Sequence, residues 1–360
     1  MGVEAALIEG NLVPGDLEVV DGHVVRAGLG GTGGRGVAVP GFVDLHIHGF
    51  GGVDFATADT AGYRRAGEAL LRTGVTAFQP SFVTAPEDAL VAALREVPSG
   101  DIGPRVLGSH LEGPFLSPSR LGMHPAAARR DPDLSLLERL LAAGRVTHMT
   151  AAPELDGAME LFDLLLSRRV VVACGHTDAT SAEAHAAFDR GATHVTHLFN
   201  AMRPFGHRDP GMPGAALARD DVTVELILDG NHVADDAARV AWRAAAGRVV
   251  LVTDATPAAG IGGGDGDWNV GGVEVRVRDG AVRMRDGVLA GSVLTMPEAI
   301  RNLVRVGATL EQAVGAATSV PARAARRDDV GVLRAGAVAD VVLLDDALEV
   351  TRVLVAGEDR

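Results

Sequence analysis

The stretch GFVDLHIHG, residues 41–49, ends an apolar run with two histidines one residue apart. On a helix, positions i and i+2 diverge, whereas on a strand they share a face, so the chemistry open to the pair depends on its conformation. Apolar and β-branched residues bounded by Pro40-Gly41 before and Gly49, Gly51 and Gly52 after predict a buried strand. His46 and His48 then point the same way, and neighbouring imidazoles suit a metal ion, which needs converging nitrogen lone pairs. Taken alone, the stretch fits two hydrogen-bonded pocket histidines equally well. Glu112 in RVLGSHLEGP, His176 in RVVVACGHTDA and His197 in THVTHLFNAM each lie at the end of another apolar run. One carboxylate and two imidazoles are a common catalytic zinc set that leaves a position open for water.

These residues need a scaffold that brings distant stretches together. Between residues 37 and 260 eight strand-like runs recur: VAVPGFVDLHIHG, GVTAFQPS, RVLGSHLEGP, RVTHMTAAPE, RVVVACGHTDA, THVTHLFNAM, VTVELILDGNHV and VVLVTDATPAAG. Helical patterns such as AGYRRAGEALLRTG and SAEAHAAFDRG fall between them, the second with Ser181 and Gly191 as expected caps. Eight strand-then-helix units predict an α/β protein built on a (β/α)8 TIM-like barrel. His46, His48, Gln79, Glu112, His176, His197, His232 and Asp254 gather at the C-terminal ends of the runs, the catalytic rim of such a barrel.

The flanks differ in kind. Residues 1–36 and about 330–360 are short alternating strands with Gly turns, and NVGGVEVRVRDGAVRMRDGVLAG reads as hairpins with Asp-Gly turns. We expect a small β-sandwich from both chain ends, with hairpins from about 268–290, and a catalytic barrel over 37–329. GLGGTGGRG is a flexible turn whose glycines lack the strand-to-helix setting of a nucleotide fingerprint.

Composition narrows the function. The chain has 360 residues, 47% hydrophobic and 22% charged, which suits a packed core. A formal net charge of -14 with no dense basic patch argues against nucleic-acid or anionic-membrane partners. No run is long and apolar enough for a membrane span, and the N-terminus lacks a signal-peptide pattern, so a cytoplasmic location is expected. Cys174, the one cysteine, reads as core packing. The chain contains no lysine, which removes Schiff-base chemistry, a P-loop and a carbamylated-lysine metal bridge. Any bridging ligand must be a carboxylate.

In order along the chain, PGFVDLHIHGFGG, HLEGPFLSPSRLGMHP, GHTDAT, THLFNAMRPFGHRDPG, DGNHV, LVTDATPAAG and LAGSVLTM resemble the N-acetylglucosamine-6-phosphate deacetylase family of the amidohydrolase superfamily. The resemblance spans essentially the whole chain. It implies a divalent cofactor, one ion or two, zinc or iron, held by Glu112, His176 and His197. His46 and His48 would take the second ion, and Glu112 would bridge. Some members look single-metal and replace this pair. The resemblance further implies that Asp254 is the catalytic carboxylate and also reaches the metal, and that His232 bonds the acyl oxygen. Met123 and His124 in GMHP, Met296, the backbone N–H groups of Asn200 and Ala201, and Arg208 would hold a phosphorylated N-acetyl amino sugar, with core packing the other reading of Met296 and a surface ion pair the other reading of Arg208. Arg203 competes with Arg208 for the phosphate, and the implied arginine reaches across a homodimer. A metal ion polarises an amide carbonyl and acidifies water, while a carboxylate carries the proton to the departing nitrogen. Rival readings are another N-acyl amino sugar, such as N-acetylgalactosamine 6-phosphate, a cyclic amide, or a non-catalytic sugar-phosphate sensor. His110, two residues before Glu112, is a candidate for orienting it or filling the barrel.

Overall fold

A computed structural model describes residues 1–30, 34–100, 102–262 and 264–360. The middle of the GLGGTGGRG turn, 31–33, lies outside the described residues. Eight parallel strands form the expected barrel: β1 (Phe42–Ile47), β2 (Val75–Val83), β3 (Ser109–Glu112), β4 (Val146–Ala151), β5 (Val171–Cys174), β6 (His194–Val195), β7 (Thr223–Leu226) and β8 (Val249–Leu251). Each pairs with its neighbour in chain order from β1 to β8. The last seam is closed just past β8, where Asp254 N–H donates to His46 O (2.9 Å) and His48 N–H to Ala255 O (2.9 Å). Lower in that seam, the Thr253 hydroxyl donates to buried Asp44 Oδ2 at 2.6 Å. The seam therefore carries His46, His48 and Asp254 on adjacent backbone.

Helices between the strands bury their apolar faces on the barrel and start where the sequence supplies caps. Asp59 accepts from Gly62 N–H to open the helix Thr60–Leu71. The helix Ser181–Arg190 is capped by Thr180 rather than the expected Ser181, because Glu183 stands where it can complete a capping box with Thr180. Gly191 ends that helix with φ 118°, a conformation that favours glycine.

Strands from both chain ends share one six-stranded sheet, in the order Asn11–Pro14, Ala5–Ile8, Val37–Pro40, Val341–Leu344, Val350–Val355, Glu358–Asp359. The hairpin Asp16–Val20 and His23–Leu29 joins it around a small core that includes Leu17, Val24, Ala38, Leu333 and Val341. Val37–Pro40 pairs within this sheet, so the passage into the barrel falls at Gly41, not at residue 37. Gly41 crosses Thr76 so closely that a Cβ there would collide with its side chain.

The hairpins expected to extend the terminal sandwich do something else. Gly266–Val270, Val273–Arg278, Ala281–Arg283 and Leu289–Ser292 form their own antiparallel sheet. Val270, Val275, Val277, Val282 and Ala290 pack on Val83 at the end of β2 and on Met123 and Ala258 in the loops that follow β3 and β8. Alternating apolar residues need a partner face, and the barrel rim supplies it. At Gly291, φ is +72° and a Cβ would stand 2.8 Å from Asp254 O, which lets the last strand run against the catalytic rim. Ser292 N–H donates to Asp254 O at 2.8 Å.

Candidate metal centre and cavity

Glu112 ends β3 inside the barrel mouth, 2% exposed, with its two oxygens facing different clusters. Oε1 lies 3.0 Å from His176 Nε2 and 3.0 Å from His197 Nε2, and those two nitrogens are 3.1 Å apart. Oε2 lies 3.5 Å from His46 Nε2 and 3.4 Å from His48 Nε2, which are 3.2 Å from each other. Asp254 Oδ1 completes the second cluster at 3.6 Å from His46 and 3.1 Å from His48. All six side chains are buried.

The backs of the rings establish what their fronts can do. His176 Nδ1 meets Arg120 O at 2.9 Å, His48 Nδ1 meets Ser81 O at 3.1 Å, and His46 Nδ1 meets the Glu225 carboxylate at 3.0 Å. Each of those oxygens only accepts, so each Nδ1 carries the proton and each neutral Nε2 presents a lone pair. Lone pairs then face carboxylate oxygens and one another, an arrangement that is repulsive until positive charge sits among them. Although burial opposes a charged His46, the carboxylates of Glu112, Glu225 and Asp254 outweigh it and raise its pKa well above the ordinary value. Burial would likewise raise Glu112 and Asp254, but the surrounding imidazoles hold both low. The donor set fits divalent cations, with N and O ligands in two groups joined by Glu112.

Strain concentrates here. His176 (φ 48°), His197 (φ 29°) and Asp254 (φ 50°) turn off their strands in the left-handed region. Such residues cost about 1–3 kcal/mol each and persist where surrounding structure holds them.

His124 differs from the other imidazoles. Its Nδ1 accepts the Thr84 N–H at 3.0 Å, so Nε2 carries the proton and faces Glu112 Oε2 at 3.3 Å. Burial and neighbouring His176 push its pKa down to about 4, so it stays neutral. His124 is thus a hydrogen-bond donor on the cavity wall and not a metal ligand.

Above the clusters lies a cavity of about 210 Å³. The structure places His48, Glu112, Met123, His124, His176, His197, Asn200, Ala201, His232 and Asp254 in its wall. Four other groups are committed elsewhere or lie outside this wall. Asn200 N–H is already donated to His197 O at 2.9 Å, which leaves the Ala201 N–H for a ligand. Met296 opens the helix Met296–Arg305 fully buried in the barrel core, while Val288 and Leu289 line the cavity from the rim sheet. Gln79 points into the barrel interior, donating to Thr147 Oγ1, and does not reach the cavity. Arg208 is exposed on the loop after β6, outside the wall. Its competitor Arg203 is committed to Asp178 and Asp209.

His110 packs edge-on to His46 with centroids 4.7 Å apart, held by Ser81 and Thr150, so it fills the barrel beneath the ligand. Two acidic residues escaped sequence reasoning. Glu225 is a lone charge in the apolar strand VTVELIL, a legible anomaly; Asp229 sits in a turn and carried no signal.

Asp229 Oδ2 is 2.8 Å from His232 Nδ1, and its Oδ1 accepts the His232 N–H. Burial opposes both charges, yet the pair lowers the Asp229 pKa and raises that of His232. The aspartate's contribution is present above its ordinary value and lost as pH falls through the lowered pKa. The histidine's is present below its ordinary value and lost as pH rises through the raised one. Asp229→Asn should therefore cost most stability between about pH 4 and 6.5 and least in alkali. Thermal melts of both proteins across pH check this, and an equal loss at pH 5 and pH 9 would show an uncharged pair.

A closed barrel with two imidazole clusters joined by one carboxylate defines a hydrolase of the cation-assisted barrel class. The chain belongs to the amidohydrolase family, whose sequence profile matches residues 37–359. It is 40% identical over 346 residues to an N-acetylglucosamine-6-phosphate deacetylase of Rattus norvegicus, covering 91% of this chain and 83% of that one. It is 38% identical over 327 residues to an N-acetylgalactosamine-6-phosphate deacetylase of Escherichia coli O157:H7, covering 89% and 86%. Among solved structures, a mutant N-acetyl-D-glucosamine-6-phosphate deacetylase of Mycobacterium smegmatis bound to N-acetyl-D-glucosamine-6-phosphate superposes with TM-score 0.93. That pair shares 38% identity over 99% of this chain and 97% of the other. The Thermotoga maritima N-acetylglucosamine-6-phosphate deacetylase superposes with TM-score 0.89 at 33% identity, covering 99% and 98%.

Proposed function

We propose that this chain hydrolyses the acetamido group of N-acetylglucosamine 6-phosphate, releasing acetate and glucosamine 6-phosphate. The observation that carries the reading is the convergence of imidazole lone pairs on both oxygens of Glu112 beneath a cavity walled by Asp254 and His232. The names of the relatives supply the substrate class.

Divalent ions, zinc in this proposal, would be held by Glu112, His176 and His197 and by His46, His48, Glu112 and Asp254, supplying Lewis acidity and making water acidic enough to attack at neutral pH. Asp254 accepts the proton of the attacking water and returns it to the amide nitrogen as the C–N bond breaks. His232, held in orientation and kept as the imidazolium by Asp229, donates its Nε2–H to the acyl oxygen as charge develops there. His124, Met123 and Ala201 N–H position the sugar. Exposed Arg208 serves the phosphate of a partner subunit in a homodimer, since it lies outside its own cavity wall. We place the protein in the cytoplasm; no described helix is long and apolar enough to cross a membrane. A non-catalytic sensor would not need Asp254 and both cation clusters intact.

Acetate release from N-acetylglucosamine 6-phosphate, N-acetylgalactosamine 6-phosphate and unphosphorylated N-acetylglucosamine, with defined metal, tests the reading. The glucosamine ester should be fastest, and a faster galactosamine ester would reassign the substrate as the E. coli relative's name suggests. Arg208→Ala should raise KM for phosphorylated sugars about tenfold or more, because charge-assisted bonds contribute about 1.5–3 kcal/mol. Equal rates with and without the phosphate would undo the Arg208 assignment.

A further inference from the structure

We infer that Glu225 is a positioning residue that holds the two cation clusters in register, one carboxylate beneath both. The inference rests on the proposed reading that these clusters bind divalent ions. Glu225 lies in β7, 2% exposed, and does not line the cavity. Its Oε2 accepts the His46 Nδ1–H at 3.0 Å and the main-chain N–H of His197 at 3.0 Å. One oxygen thus orients a ring of one cluster and anchors the backbone of a ligand in the other.

The far oxygen is held too. Glu225 Oε1 accepts from His194 Nε2 at 3.0 Å, and His194 Nδ1 lies 2.6 Å from Thr223 Oγ1. A chain of four side chains therefore runs from His46 to Thr223 at the start of β7, crossing from β1 to β6 and β7. His197 needs such an anchor, because its φ of 29° is unfavourable for a side-chain-bearing residue. His46 needs it because only a protonated Nδ1 leaves Nε2 free to ligate.

Three N–H donors converge on the two oxygens of Glu225. A glutamine offers one acceptor oxygen and one NH2 group, so the three donors keep acceptors only if His194 changes tautomer, and the negative charge behind His46 is lost in every case. In Glu225→Gln we expect cation affinity to fall about 10–100-fold, the usual effect of removing a carboxylate behind a metal-ligating histidine. Chelator competition with Zn²⁺ on the full chain measures this, and the visible absorption of the Co²⁺-loaded protein reads ligand geometry without reference to activity. Glu225→Asp, which keeps two acceptors at shorter reach, should recover part of the affinity.

A merely structural Glu225 would lower the melting temperature while both affinities stayed within twofold of wild type and the Co²⁺ spectrum was unchanged; that result overturns the inference. If wild type itself binds a single ion, the two-ion reading fails, and the same competition still tests Glu225 through His197. Should Glu225→Gln not fold, Thr223→Val removes the hydroxyl beneath His194 and should weaken binding a few-fold. Unchanged affinity in that variant then counts against the relay.

Discussion

Glu112→Gln is expected to empty the site. The substitution keeps size but replaces one ligating oxygen with an NH2 group and removes the charge that both clusters share. Each oxygen serves a separate cluster at 3.0–3.5 Å, so whichever way the amide turns, one cluster loses its carboxylate outright. The buried imidazoles would face one another with less to hold a cation between them. Removing one partner from a buried charge pair costs about 3–5 kcal/mol, which corresponds to roughly a hundred- to a few-thousand-fold in affinity. Metal content by mass spectrometry after dialysis should fall well below that of wild type, and acetate release should fall with it. A Glu112→Gln protein that keeps its full metal complement would show that this carboxylate is not the bridge.

Asp254→Asn should separate chemistry from binding. Asparagine retains Oδ1, which faces His48 at 3.1 Å, so metal content should stay close to wild type. What is lost is the ability to take a proton from water and return it to nitrogen, a function generally worth about 10²–10⁴ in rate. The expected result is a fall of that size in kcat with little change in KM. Full activity would remove Asp254 from the proton transfer. Loss of metal in parallel with activity would make it a ligand alone. The position is well chosen for the task, because Asp254 stands on the closing seam with φ 50°, braced by His46 O and by Ser292 N–H from the rim sheet.

The contrast between Glu225 and Asp229 shows where reading the chain succeeds. Glu225 interrupts a run of strand residues, and a charge there must have buried partners, so the anomaly was visible even though the partners were not. Asp229 sits among Gly, Asn and His, where an aspartate is an ordinary turn residue. Met296 is ambiguous in sequence for a related reason. An apolar residue near a site motif is equally suited to core packing, and only the direction of the helix Met296–Arg305 shows that it turns inward.

By itself the sequence determined the eight strand-and-helix units, the polar ends of those strands, and the absence of any lysine to bridge two ions. Those features depend on local periodicity and composition, which neighbouring residues carry among themselves. Tertiary structure alone decided that the hairpins near 266–292 cover the barrel rim instead of joining the terminal sheet. It also decided which nitrogen of His46, His48 and His176 faces inward, and that Glu225 stands beneath both clusters. An amphipathic hairpin carries no record of which apolar face it will meet, and a ring's tautomer is set by an oxygen that can lie 179 positions away, as Glu225 does from His46.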